Sequence, residues 1–228
     1  MKRISAGWVG LSVAWMAVAA GVASAADYTW TCGGADHNWT TTDNWGGTGF
    51  PDVAGDVAIV TAANTVNLNT NGIVTLGRIQ VSNSVSRTVT VIGDAGAGFT
   101  FGGLAAPGSG ITVDGNTANR LILDPSLVIP NRIDKMGVGT VEFTGTQTCS
   151  VVGGYGWVFG QGQSVYSGTA SLSVANGSVG IGNASSTATV VLTNQAAWTV
   201  NRIELGVSSG LATLGILCQD ADECSVTV

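Results

Sequence analysis

From residue 57 onward the chain is a succession of very short β-branched or aromatic runs separated by Gly, Asn, Asp and Ser. That pattern leaves room for an all-β fold and little else. Val57–Val60, Ile73–Leu76, Val89–Ile92, Leu121–Leu123, Leu172–Val174 and Thr189–Leu192 are representative, and most alternate inward and outward residues, as in Val89-Thr90-Val91. A new run opens roughly every ten residues, a spacing shared by sandwiches and solenoids. Two features favour a solenoid. The runs are very short, and most junctions lack the Asn-Gly or Asp-Gly pair of a tight hairpin. Asn71-Gly72, Asp114-Gly115 and Asn176-Gly177 are exceptions. Three strands per coil predict rungs of roughly 20–30 residues and about six to eight of them. A β-sandwich is the alternative.

Composition narrows the class further. With 45% hydrophobic residues and positive mean hydropathy, the chain is too apolar for disorder, although only 10% of it is charged. Its 14 acidic residues outnumber 8 basic ones. Beyond residue 25, Lys135 is the sole lysine, and Arg78, Arg87, Arg120, Arg132 and Arg202 are scattered singly. Such a chain cannot neutralise a row of phosphates, which excludes nucleic acid as a partner and adsorption to anionic lipid.

The N-terminus reads as a secretory signal peptide over residues 1–25. Lys2 and Arg3 precede an apolar stretch from Ala6 to Val22, which ends in Ala23-Ser24-Ala25. Cleavage after Ala25 predicts a secreted or cell-surface protein with no membrane association once the signal is removed. Residues 26–56 differ again, crowding Trp30, Trp39 and Trp45 among glycines. They are expected to form a cap over the first coil's open edge. Residues 57–228 are expected to form the solenoid, truncated at its C-terminus because the chain stops within a strand-like run.

Several segments carry a resemblance. Trp30-Thr31-Cys32-Gly33-Gly34, Asn38-Trp39, Asn44-Trp45, Pro51-Asp52 and Asp56-Val57-Ala58-Ile59 together resemble the opening of secreted bacterial β-strand-repeat proteins of the autotransporter-passenger and PEP-CTERM type. Lys135-Met136-Gly137-Val138-Gly139-Thr140-Val141-Glu142-Phe143 is similar to the passenger-associated repeat, Lys-x-Gly-x-Gly-Thr-Leu-x-Leu-x-Gly. The resemblance implies a right-handed parallel β-helix displayed outside the cell as a non-catalytic structural or adhesive segment. Surface glycans or other cell-surface proteins would be its partners. It carries over no catalytic residue and no cofactor.

Candidate chemistry is sparse. Asp124, Asp134, Lys135 and Glu142, with Arg120 and Arg132 nearby, form the one stretch where charge gathers. On a β-helix scaffold they are the candidate acid–base set of a polysaccharide lyase or glycoside hydrolase. Trp39 and Trp45, in a Gly-rich loop, are candidates for stacking on sugar rings, as in a carbohydrate-binding module, or for packing in the cap. Four cysteines in an oxidising compartment permit two disulfides. Sequence proximity favours Cys218–Cys224, leaving Cys32–Cys149. The intervening Asp220, Asp222 and Glu223 lack the pattern of a calcium loop, and no zinc spacing is present. Asn119-Arg120-Leu121, Asn131-Arg132-Ile133 and Asn201-Arg202-Ile203 repeat a triplet whose asparagines, if stacked at a turn, would bond along the solenoid axis.

Overall fold

The computed structural model describes residues 25–61, 65–70, 72–104, 108–183, 186–207, 210–217 and 224–228. The predicted signal peptide therefore falls outside the described residues, apart from Ala25. The fold is a right-handed parallel β-helix of about six turns. Among the described residues the sole helical element is a 3-10 turn, Thr42–Trp45.

Strand β1 (Asp27–Trp30) starts the stack. Three coils follow: β2 (Val57–Val60), β3 (Thr65–Leu68) and β4 (Ile73–Leu76); β5 (Arg78–Ser82), β6 (Thr88–Gly93) and β7 (Gly98–Phe101); β8 (Gly110–Asp114), β9 (Arg120–Leu123) and β10 (Ser126–Ile129). The rest of the chain gives β11 (Ile133–Met136), β12 (Thr140–Phe143), β13 (Thr146–Phe159), β14 (Gly162–Tyr166) and β15 (Ser171–Asn183). Last come β16 (Thr187–Thr193), β17 (Ala197–Val207), β18 (Leu211–Leu217) and β19 (Ser225–Thr227).

All pairings between these strands are parallel and build three ladders. The first holds β1, β2, β5, β8, β11 and the C-terminal halves of β13, β15 and β17. The second is a seven-stranded sheet of β3, β6, β9, β12, β14, β16 and β18. The third holds β4, β7, β10, the N-terminal halves of β13, β15 and β17, and β19. From β13 onward one strand rounds the corner from third ladder to first. Gly153 and Gly154 make the first such corner possible with φ of 72° and 67°, which a side chain would strain. Pairing slips there between Cys149 and Trp157.

Alternation places one side chain of each pair inside the coil, where equivalent positions stack at about 4.8 Å. In the second ladder Val66, Val91, Leu123, Phe143, Tyr166 and Leu192 form one interior column. In the distal half the interior is aromatic. Trp157, Phe143, Tyr166, Phe159 and Trp198 lie with ring centroids 4.9–6.2 Å apart, and Trp157 Nε1 donates to Tyr166 Oη at 2.9 Å.

The cap is built from the same ladders. Strand β1 pairs with β2, and Asn38 bridges Asn67 beside β3. Trp30, Trp39 and Trp45 close the end in an edge-to-face cluster with centroids 4.8–4.9 Å apart, and Trp39 reaches Phe99 at 5.1 Å. The recurring Asn and Asp residues hold this knot. Buried Asn44 accepts from Gly34 N–H at 3.0 Å and donates to the Asn38 carbonyl at 3.0 Å. Buried Asp56 accepts from the N–H groups of Ala26, Asp52 and Val53 at 2.9–3.1 Å. Parallel pairing thus begins at Asp27, so the segment 26–56 is itself partly ladder.

Candidate functional site

Lys135 lies on β11 in an interior column between Ile111 and Phe159. It is fully buried, and its Nζ donates to the carbonyls of Gly137 at 2.8 Å, Gly139 at 2.6 Å and Gln161 at 2.6 Å. This accounts for the Lys-x-Gly-x-Gly-Thr spacing. The lysine folds back into the coil and closes the turn that follows it, tying it to the next rung. Gly137 has φ of 82°, and a Cβ on Gly139 would stand 2.7 Å from the Asn119 carbonyl of the preceding rung. Burial pulls the Lys135 pKa down to about 7, with the Asp114 charge acting weakly in the opposite sense.

Asp134, one residue earlier, faces outward on the first ladder. Its carboxylate receives both Nε (3.2 Å) and Nη2 (2.6 Å) of Arg132, and it is buried. Burial raises its pKa, opposed by the Arg132 hydrogen bonds and charge. The Arg132 guanidinium also lies 5.8 Å from the Tyr155 ring centroid. The Tyr155 hydroxyl donates to Glu204, which pairs with Arg202 at 2.9 Å. That hydrogen bond is the main cause of a raised Tyr155 pKa. These five side chains form a strap across the first ladder in which every charge has a partner. Sequence reading missed Tyr155 and Glu204 as its members. The β15 and β17 register that brings them near Arg132 has no local signal.

The proposed acid–base set is not assembled. Lys135 is inside the coil, Asp134 is on the first ladder and Glu142 is on the second, where it pairs with Arg120 and accepts from Ser167 Oγ at 2.6 Å. Asp124 sits after β9, exposed, accepting from Thr144 Oγ1 at 3.1 Å. Closeness in sequence does not converge here because three successive strands belong to three different faces.

Two further expectations are corrected. Trp39 and Trp45 offer no ring face to a sugar: they are 0% and 3% exposed, with their Nε1 groups donating to Pro51 O at 2.9 Å and Trp39 O at 2.6 Å. Cys149 is a free thiol buried in the third ladder, so no Cys32–Cys149 bridge forms. Burial raises its pKa. Cys32 lies in the cap, several rungs from it, which is the physical reason. Cys218, Asp220, Asp222 and Glu223 lie outside the described residues, and Cys224 Sγ is 2.8 Å from the Asn194 carbonyl. The Asn-Arg triplets do not stack as a set. Asn119 precedes a second-ladder strand, whereas Asn131 precedes a first-ladder strand and Asn201 lies within β17. Axial asparagine bonding does occur between other partners: Asn119 Nδ2 donates to Asn83 O at 2.7 Å, and Asn83 Nδ2 to Thr61 O at 2.6 Å.

Among the described residues, a groove and an outer sheet face are open to a ligand. A shallow groove of about 550 Å³ runs along the corner between the first and second ladders, lined by Thr140, Gln161, Gln163, Thr187 and Thr189 among others, with no titratable side chain in its lining. The outer face of the third ladder presents hydroxyls in two columns. Thr75, Thr100, Thr148, Ser173, Thr199 and Thr227 occupy one, interrupted by Val128. Ser126, Thr146, Ser171 and Ser225 belong to the other, interrupted by Ile73, Gly98 and Ala197. Among the described residues no three His, Cys, Asp or Glu side chains gather as metal ligands would. Comparison with protein-family models, curated proteins and solved structures gave no match to this chain.

Proposed function

We propose that the chain is an exported, passive structural or adhesive rod, displayed outside the cell in the manner of an autotransporter passenger. The observation that carries this reading is the use made of Lys135. The residue best suited by type and position to take a proton is committed to closing a turn with three carbonyls inside the coil. The acids that accompany it in sequence are spread over separate faces, and two of them are paired with arginines. A capped, hydrogen-bonded stack with uncharged hydroxyl and amide surfaces suits a spacer that presents contacts along its length.

Fractionation of cells expressing the full chain, followed by N-terminal sequencing, tests the reading. The expected product lies outside the cytoplasm and begins at Ala26. Cells displaying it should adhere to glycan- or protein-coated surfaces more than cells lacking it. A product retained in the cytoplasm with Met1 intact, or a purified chain that cleaves polysaccharides, overturns it.

A further inference from the structure

The third ladder differs from the other two in charge. No Asp, Glu, Lys, Arg or His occurs in β4, β7, β10, β19 or the third-ladder halves of β13, β15 and β17. The first ladder carries Arg78, Asp134 and Glu204 outward, and the second carries Arg120 and Glu142. The outward positions of the third ladder are mostly Thr and Ser instead, in two columns one residue pair apart.

Pairing along that ladder runs in register through seven strands, from Thr75 to Thr227. The hydroxyls of one column are therefore repeated at about 4.8 Å along the axis, and the two columns stand about 6.7 Å apart along each strand. Behind them Phe99, Leu127, Leu172 and Trp198 are buried and fix the backbone. Threonine is stiff at χ1, so its hydroxyl and methyl are pre-ordered. Each hydroxyl is both donor and acceptor. Some are already aligned with the axis: Thr100 Oγ1 donates to Val128 O at 2.8 Å, and Ser171 Oγ to Thr146 Oγ1 at 3.4 Å.

Most occupants are poorly served by this surface. A small ligand needs concavity, and the groove lies on a different corner. Sugar rings need an exposed aromatic platform, yet Trp30, Trp39, Trp45, Trp157 and Trp198 are all buried. A protein partner favours aromatic, Met and Arg anchors, and the large exposed apolar residues on this face are Ile73 and Val128. What fits an uncharged face of register-aligned hydroxyl columns, one broken at Val128 and the other at Ile73, Gly98 and Ala197, is a ligand that is itself a lattice of hydroxyl groups. Ice presents its oxygens in rows with a repeat close to the rung spacing. We propose that the third ladder binds ice through its two hydroxyl columns. The proposal needs only the solenoid and stands apart from the surface-rod reading.

The test uses the purified chain, fluorescently labelled, on a growing ice hemisphere, with ice-recrystallisation inhibition as a second readout. Wild type should enter the ice and slow recrystallisation. Thr148→Arg and Thr199→Arg, each at an exposed position of the third ladder, should lose both signals to background with an unchanged melting temperature. Gln163→Arg, exposed on the second ladder, should keep them. Exclusion of the wild-type chain from ice, equal behaviour of the three variants, or binding to crystalline cellulose or chitin with none to ice overturns the proposal. Failure here leaves the export test above unaffected, so the two readings fail separately.

Discussion

Lys135 is a fully buried cation whose three hydrogen-bond acceptors are all backbone carbonyls. Its pKa of about 7 lies below the ordinary lysine value of 10.5. The unfolded chain keeps that proton to higher pH than the native one, so unfolding takes up a proton between pH 7 and 10.5. Stability should therefore rise with pH across that window, on the order of 1 kcal/mol per pH unit where the difference is largest. Below pH 7 this group adds no further slope. Urea midpoints at pH 6 and pH 9 check the rise. Lys135→Met should flatten this contribution while lowering stability by about 1–3 kcal/mol, because the carbonyls lose their donor. Ser164 offers the opposite case. It stands between Val141 and Val190 in an interior column, and its Oγ has no hydrogen-bond partner. Ser164→Ala is expected to stabilise by about 1 kcal/mol in the same denaturation assay.

At the scale of elements, the legible strands were those with clean apolar alternation, such as Val89-Thr90-Val91 in β6 and Leu172-Ser173-Val174 in β15. The unread ones put polar groups inside. Strand β11 reads Ile-Asp-Lys-Met, with both charged residues buried on opposite faces of the sheet. The N-terminal half of β13 turns Gln147 inward, where it donates to Gly145 O at 2.6 Å, and β14 turns Ser164 inward. A sequence pattern cannot distinguish such residues from a loop: Lys135 and Gln147 bond carbonyls of the same turn or a neighbouring rung, Asp134 pairs with Arg132, and Ser164 Oγ has no partner. The cap was legible as a tryptophan cluster, but its joining the ladders through β1 was not, because the residues that pair with Asp27–Trp30 come thirty positions later. Trp39→Ala should cost about 3–5 kcal/mol, the usual price of emptying a buried aromatic site. Differential scanning calorimetry of the variant checks this, and Trp45→Ala should act alike.

The whole molecule is a one-dimensional stack in which each coil rests mainly on its neighbours, so stability is distributed along the axis. At the proximal end the tryptophan cluster is almost entirely buried. In the distal coil Ile203, Leu214 and Val226 are only partly covered, and Leu205 and Leu211 are 58% and 68% exposed. Native-state hydrogen exchange should therefore be fastest in β17–β19 and slowest from β8 to β14, where interior residues are almost fully buried. Uniform protection along the stack would contradict this.

By itself the sequence determined that the chain is all-β and which tryptophans gather at one end; it favoured a coil but left a β-sandwich open, and the parallel ladders decided between them. Alternation, turn residues and spacing are local properties that act within a few positions. It also determined that Lys135 and its two glycines are a unit, though not that the unit is a buried turn closure. Only the tertiary structure decided which residues share a face. Asp124, Asp134 and Glu142 are neighbours in the chain yet fall on different sides, whereas Thr75 and Thr227 are far apart and lie in one column. In a solenoid the contacts that create a surface run between rungs, roughly 20–30 residues apart. The lengths of the intervening turns set that register, and short-range pattern does not encode it.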